Sequence, residues 1–315
     1  MSHIDILISE VGPRDGLQSI ESIMSTQDKK DWILAEANAG VREIEVGSFV
    51  PPKLLPQLAD TDEIVRYAKT IPDLTVAALV PNFIGAKNAI DAGVDKMCLP
   101  LSVSESHSKA NLRKDHNQVL EEIKKISDYI KTLDESNRPE FEGNLSTAFG
   151  CTIEGKVCEK SVLSLGAKMM ELGCNEVGLS DTTGYANPAQ LKRLIRLLKN
   201  EIGGENLTSV HLHNTRGLGL ANALAALDEG ITTLDSSLGG IGGCPFAPGA
   251  SGNIVTEDLV FMLDAMGIKT GIDIDALLAV NQMVKKALPN EELYGFTIDS
   301  GLPKGYTGGG WGLTE

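Results

Sequence analysis

Positive charge is in short supply in this chain. Lys and Arg number 28 against 43 Asp and Glu, for a formal net charge of −15 at pH 7. Such a balance excludes nucleic acid and anionic membrane surfaces as main partners. It leaves room for a small anionic substrate, because one local cationic pocket suffices. Long apolar runs are lacking too, and no stretch approaches the ~20 residues that cross a bilayer. The opening MSHIDILISEVG has no basic region ahead of an apolar core, so a first strand is expected there rather than a secretory signal. Cysteine is sparse: Cys98, Cys151, Cys158, Cys174 and Cys244 form an odd set without a C-x-x-C pair. That usage disfavours a disulfide framework and suits the reduced thiols of a cytoplasmic protein. Cys98 and Cys174 lie in or beside apolar runs and are expected as inert core residues.

A composition break is also missing, and no interdomain linker shows. What the 315 residues do contain is alternation. Strands are expected at 4–11, 42–49, 74–80, 95–102, 143–150, 175–182, 207–215 and 232–240. Helices are expected at 26–40, 83–93, 115–133, 160–173, 188–203, 218–230 and 256–267, and one more at about 273–288. Thr26 is expected to cap the first helix, Gly40 to end it, and Pro188 to sit in the first turn of its own. The alternation predicts an α/β fold, a (β/α)8 TIM barrel, over a doubly wound sheet. Residues 1–288 form one catalytic domain in this reading, with an additional C-terminal helix. A glycine-rich tail, 289–315, is unassigned, its first reading being a disordered terminus and its second a cover over the mouth or a subunit contact.

Barrel chemistry sits at the C-terminal ends of the strands, and polar residues gather there. Arg14 and Asp15 stand in EVGPRDGLQ, where Asp-Gly also serves as a turn pair. Glu43 and Glu45 share one face of their strand, either inward with a partner or out at the rim. Asp181, in LSDTTG, is a site residue or a helix N-cap. His211 and His213 lie two apart, about 7 Å at their bases, and can converge on one metal ion. The segment SLGGIGGCPFAPGASGN carries six glycines, no charge, Cys244 and Asn253. It reads as a mobile lid or a plain linker, and Asn253 as a ligand or a cap. One Asp, two His and one Asn oxygen suit Mg²⁺, Mn²⁺ or Co²⁺ better than structural zinc.

EVGPRDGLQ, HLHNTRG and GGCPFAPGASGNIVTEDLVFML together resemble the 3-hydroxy-3-methylglutaryl-CoA (HMG-CoA) lyase family, from Ile4 to about Ala287. These proteins are metal-dependent lyases and synthases on a TIM barrel with an Asp-Arg-Glu signature. The resemblance implies metal ligation by Asp15, His211, His213 and Asn253, with Mg²⁺ or Mn²⁺ and no organic cofactor. It implies catalytic roles for Arg14, Asp15, Glu45, His211 and Cys244. Arg14 would stabilise an enolate, Glu45 would support Arg14, and Cys244 would transfer a proton. Gln18 and Asp181 match active-site polar residues. The implied reaction is a retro-Claisen cleavage of a 3-hydroxy-3-alkylglutaryl thioester to acetyl-CoA and a 3-oxo acid.

Two departures concern the substrate. The family reads HCHDTYG where this chain reads HLHNTRG, so Asn214 replaces an acid and Arg216 an aromatic ring. His107 stands where an aromatic residue is expected. Both His107 and Arg216 are therefore expected at the substrate. A citramalyl-CoA or a longer-branched thioester is the alternative substrate, and a silent acyl-CoA-binding paralogue the alternative class. A homo-oligomer, a dimer first, is the expected assembly, with no nucleic-acid or membrane partner.

Overall fold

The computed structural model describes residues 3–242 and 252–311. Eight strands form a closed parallel barrel in chain order: β1 (Leu7–Glu10), β2 (Glu43–Ser48), β3 (Thr75–Leu79), β4 (Lys96–Ser102), β5 (Glu140–Ser146), β6 (Glu176–Ser180), β7 (Ser209–His211) and β8 (Thr233–Ser236). β1 pairs with β8, Ser9 opposite Asp235, and closes the ring. Around it run α1 (Thr26–Ala39), α2 (Thr61–Ala68), α3 (Phe83–Ala92), α4 (Glu105–Leu112), α5 (His116–Ile130), α6 (Glu159–Leu172), α7 (Pro188–Ile202), α8 (Gly219–Leu227), α9 (Thr256–Ala265), α10 (Ile274–Ala287) and α11 (Phe296–Ser300). The expected barrel is therefore present. Three helices were not expected: α2, α4 ahead of the long α5, and the short α11 in the tail. The cap of α1 also differs, since Ser25 accepts from the Asp28 N–H at 3.1 Å while Thr26 donates to Asp60 at 2.8 Å.

The alternation of each strand divides two environments. Outward residues such as Ile8, Ile44, Val76, Met97, Phe141, Leu179, Val210 and Leu234 are buried against the helices, where Trp32, Ile33, Ile64, Ile123 and Leu194 meet them. The apolar core is this shell between barrel and helices. The interior is polar, unlike the layers of branched side chains that fill many such barrels. At the N-terminal ends of the strands, Lys96 Nζ lies 2.7 Å from Glu176, 2.9 Å from Glu142 and 3.7 Å from Glu43. Burial works against that ammonium, but the surrounding carboxylates outweigh it and hold it charged. The cluster forms a charged floor beneath the open end.

The described part of the tail is ordered on α9. Asp264 accepts from Tyr306 Oη at 2.5 Å and from Gly309 N at 2.8 Å, and its carbonyl accepts from Gly310 N at 2.7 Å. Tyr294 N reaches the Gly239 carbonyl at 2.7 Å. This replaces the expected disorder, because backbone donors of the tail find fixed acceptors on the barrel. No helix among the described residues is long and apolar enough to cross a membrane.

Candidate active site

The chain leaves β1 in a single tight π-turn, Gly12–Gly16. One carbonyl, that of Val11, takes the N–H groups of Arg14 (3.1 Å), Asp15 (2.7 Å) and Gly16 (3.4 Å). Gly12 permits it: a Cβ there would lie 2.6 Å from Glu10 Oε1 and 2.9 Å from the Trp32 ring. Glu10 is wholly buried and accepts from Gly12 N (2.8 Å), Leu238 N (2.9 Å) and Thr256 Oγ1 (2.6 Å). It thereby ties the turn to the exit of β8 and the start of α9. Burial pushes this carboxyl up to about 7, against those hydrogen bonds.

The turn aims Arg14 and Asp15 into the barrel mouth. Arg14 Nε donates to Glu45 at 2.5 Å and its Nη1 to Asp15 Oδ1 at 2.6 Å. These two carboxylates overcome burial and keep the guanidinium charged. Burial pushes Glu45 itself up to about 7, with Arg14 pulling the other way. Asp15 Oδ1 also accepts from Gln18 at 3.3 Å, and Oδ2 from Asn253 Nδ2 at 2.8 Å. Burial alone would raise the Asp15 carboxyl, but Arg14, His211 and His213 hold it well below its ordinary value.

The two imidazoles meet as expected: His211 Nε2 lies 3.0 Å from His213 Nε2 and 3.8 Å from Asp15 Oδ2. Ligand atoms of Asp15, His211 and His213 all fall within 4.8 Å of one another. This donor set fits a divalent cation, since two ring nitrogens facing each other leave lone pairs that a cation would satisfy. Burial and His211 push His213 down to about 3, which keeps it a neutral donor. His211 goes the other way: burial is outweighed by Asp235, whose Oδ2 lies 3.1 Å from Nδ1, and by Asp15. Asn253 reaches the cluster with its nitrogen rather than the expected oxygen. Its Oδ1 is buried without a partner among the described residues, and a half-turn of the amide would present it. Gly242, at φ +119°, makes room, because a Cβ there would lie 2.6 Å from Asn253 Nδ2.

A cavity of about 170 Å³ runs from this mouth into the barrel. Gln18, Glu43, Glu45, His107 and Asp235 are on its wall. His107 is buried, bonded through Nδ1 to Ser102 Oγ at 2.8 Å, and burial lowers its pKa, so it serves as a neutral ring. Asp181 and Arg216 are not on that wall. Asp181 Oδ1 accepts from Tyr185 N (2.8 Å) and Ala186 N (3.1 Å), and burial pushes it up to about 7. Arg216 stacks 4.5 Å over the Tyr185 ring and donates to the carbonyls of Thr183 (3.2 Å) and Gly184 (2.9 Å). Both brace the loop after β6 through these contacts, while Asp181 Oδ2 is buried without a hydrogen-bond partner among the described residues. Cys98 is corrected: it is half-buried on the cavity wall, 3.8 Å from Glu142, not in the apolar core. Cys244 lies outside the described residues. Asp235 and Asn144 were not expected. The signal for Asp235 is its register, opposite His211 across β7 and β8.

A parallel barrel whose mouth gathers a fixed guanidinium, an acidic partner and a carboxylate–imidazole cluster is arranged to stabilise negative charge on a substrate, as a carbon–carbon lyase requires. The chain belongs to the HMGL-like family, whose model matches residues 5–284. It is 39% identical over 295 residues to hydroxymethylglutaryl-CoA lyase YngG of Bacillus subtilis, covering 92% of this chain and 97% of that protein. It is 38% identical to the human mitochondrial hydroxymethylglutaryl-CoA lyase over 283 residues, 90% of this chain and 86% of that one. The solved structure of an HMG-CoA lyase from Acinetobacter baumannii, in complex with coenzyme A and 3-methylmalate, superposes with a TM-score of 0.90 at 39% identity. That match covers 98% of this chain and 99% of the other. The carboxyl transferase domain of Rhizobium etli pyruvate carboxylase, at 16% identity and a TM-score of 0.72, shares the fold.

Proposed function

We propose that this protein cleaves an HMG-CoA-like thioester to acetyl-CoA and a 3-oxo acid, acetoacetate when the C3 substituent is methyl. The observation that carries the reading is Arg14 fixed between Glu45 and Asp15, beside the Asp15–His211–His213 cluster. Those three residues, with Asn253, would hold a divalent ion, Mg²⁺ or Mn²⁺. Bound there, it would orient the substrate and make its C3 hydroxyl more acidic. The hydroxyl proton leaves to a base at the cluster, where Asp235 orients the His211 ring. The C2–C3 bond then breaks, C3 becomes the ketone of the oxo acid, and its electron pair passes into the thioester as an enolate. The Arg14 guanidinium is assigned to the enolate oxygen, where charge appears only as the bond breaks. A proton returned to C2 completes acetyl-CoA, and Cys244 is assigned that delivery.

The names of the relatives support this substrate, and the complex of the A. baumannii enzyme supports a CoA thioester. His107 on the cavity wall favours a second reading, a related thioester with a different branch. The Bacillus relative and the unpaired cysteines among the described residues support a cytoplasmic location. A homodimer is the proposed assembly. The deciding assay measures acetyl-CoA release from HMG-CoA after chelation and after return of Mg²⁺ or Mn²⁺. Activity should vanish and come back. Full turnover by demonstrably metal-free protein would sink the metal site, and no turnover with metal would favour a silent binding protein.

A further inference from the structure

The cavity reaches beyond the groups that the cleavage needs, and its far wall is polar. The C3 carbon of the substrate is tetrahedral and carries four arms. With an ion held by Asp15, His211 and His213, two of them, the hydroxyl and the carboxylate arm, would face the β1 and β7 side. The thioester arm would face Arg14. The fourth arm is the variable substituent, and the wall left for it is that of β4 to β6. There the cavity is lined by Pro100, Asn144, Ser146 and Ser180, with Leu79 from β3 beside them. Among the described lining residues no Phe, Tyr or Trp contributes a ring.

Two groups on this wall lack a protein partner among the described residues. Ser180 Oγ donates to Asn144 Oδ1 at 2.6 Å, which fixes the amide and leaves its NH₂ unused. The Ser146 hydroxyl makes no hydrogen bond among the described residues. A methyl group packed here would cover both and pair with neither, which is the costly way to bury a polar group. A carboxylate substituent fits no better. The cavity floor and side already carry Glu43, Glu45, Glu142 and Asp235, and Lys96 is shared among Glu43, Glu142 and Glu176.

Resting on the lyase reading, we infer that the preferred substrate carries a neutral hydrogen-bonding substituent at C3, of the hydroxyalkyl class, held by Asn144 and Ser146. A site built to bond a substrate hydroxyl discriminates against the analogue that lacks it. Bond changes are those of the parent reaction, and the oxo-acid product keeps the extra hydroxyl.

The test uses the whole protein with Mg²⁺ and three CoA thioesters differing only at C3: methyl, ethyl and hydroxymethyl. Ethyl matches hydroxymethyl in size and lacks its bond. We expect kcat/KM for hydroxymethyl to exceed that for ethyl at least tenfold. Asn144→Leu, close in shape and unable to bond, should bring that ratio to one or below. Ser146→Ala should narrow it and stands in if the first variant does not fold. An ethyl ester cleaved as well as the hydroxymethyl ester overturns the inference, as does a ratio that survives both substitutions. If methyl and ethyl esters are cleaved while hydroxymethyl lags, this inference alone fails. If none is cleaved, the lyase reading fails and takes the inference with it.

Discussion

Arg14 shows how a single side chain is made ready for chemistry. Its contacts with Glu45 and Asp15 fix the guanidinium before any charge develops on a substrate. Arg14→Gln should therefore lower kcat by orders of magnitude, as for lost oxyanion donors worth about 3–4 kcal/mol, with a smaller change in KM. A raised KM with normal kcat would make Arg14 a plain binding residue. Asp235 acts one contact further out. It sits on the Nδ1 side of His211 and sets which nitrogen faces the cluster. Asp235→Asn can stabilise the wrong tautomer, so Mn²⁺ affinity, read by titration without substrate, should fall roughly 10–100-fold. Unchanged affinity would leave Asp235 without that role. The thiols give a third check. Burial pushes Cys98 well up although it borders the cavity, while N–H groups of Lys160 and Ser161 lower exposed Cys158. Cys158 should be alkylated first among the described cysteines and Cys98 slowly, in a labelling time course followed by mass spectrometry.

At the scale of elements, what was legible followed periodicity. Strand alternation put Glu43 and Glu45 on one face, and the two-residue spacing of His211 and His213 let their rings meet. What escaped has physical causes. α4 reads ESHSKANL and buries His107 and Ser108 rather than an apolar stripe, so no helical period stands out. The loop contacts of Asp181 and Arg216 run to backbone atoms, which leave no mark in side-chain spacing. Ser25 and Thr26 are both good caps, and only the backbone chooses between them. The tail was unreadable because its order depends on acceptors distant in the chain, Asp258, Asp264 and the Gly239 carbonyl. Asp264→Ala should loosen the segment after α11, so limited proteolysis should cut there sooner than in the parent protein. Equal cutting rates would mean that the tail is held by its apolar contacts.

Across the whole molecule, the excess of acid continues inside. Glu10, Glu36 and Glu257 are all fully buried around the base of the site. Burial, before any other cause, raises all three, Glu257 to about 8 and Glu10 to about 7, from an ordinary 4.5. Glu257 is bonded to Gly239 N at 2.9 Å and Asn281 Nδ2 at 2.7 Å, so it couples α9 and α10 to the β8 exit. Between pH 4.5 and 8 the folded protein keeps a proton here that the unfolded chain has lost. Stability from this group is therefore complete below pH 4.5 and declines as pH rises through about 8. Asp15 has the opposite sign, its contribution being lost only in strong acid as the pH falls through its depressed pKa. Glu257→Gln keeps an oxygen for Gly239 or Asn281 and removes the titration. Its Tm should match the parent's near pH 5 and exceed it at pH 8.5 by about 2–4 °C, the scale of ~1 kcal/mol in a chain this long. The measurement is thermal unfolding of both proteins across that range. A Tm difference that stays flat with pH would mean that Glu257 does not change its protonation on folding, and that the interior acids are held as ions by the bonds around them.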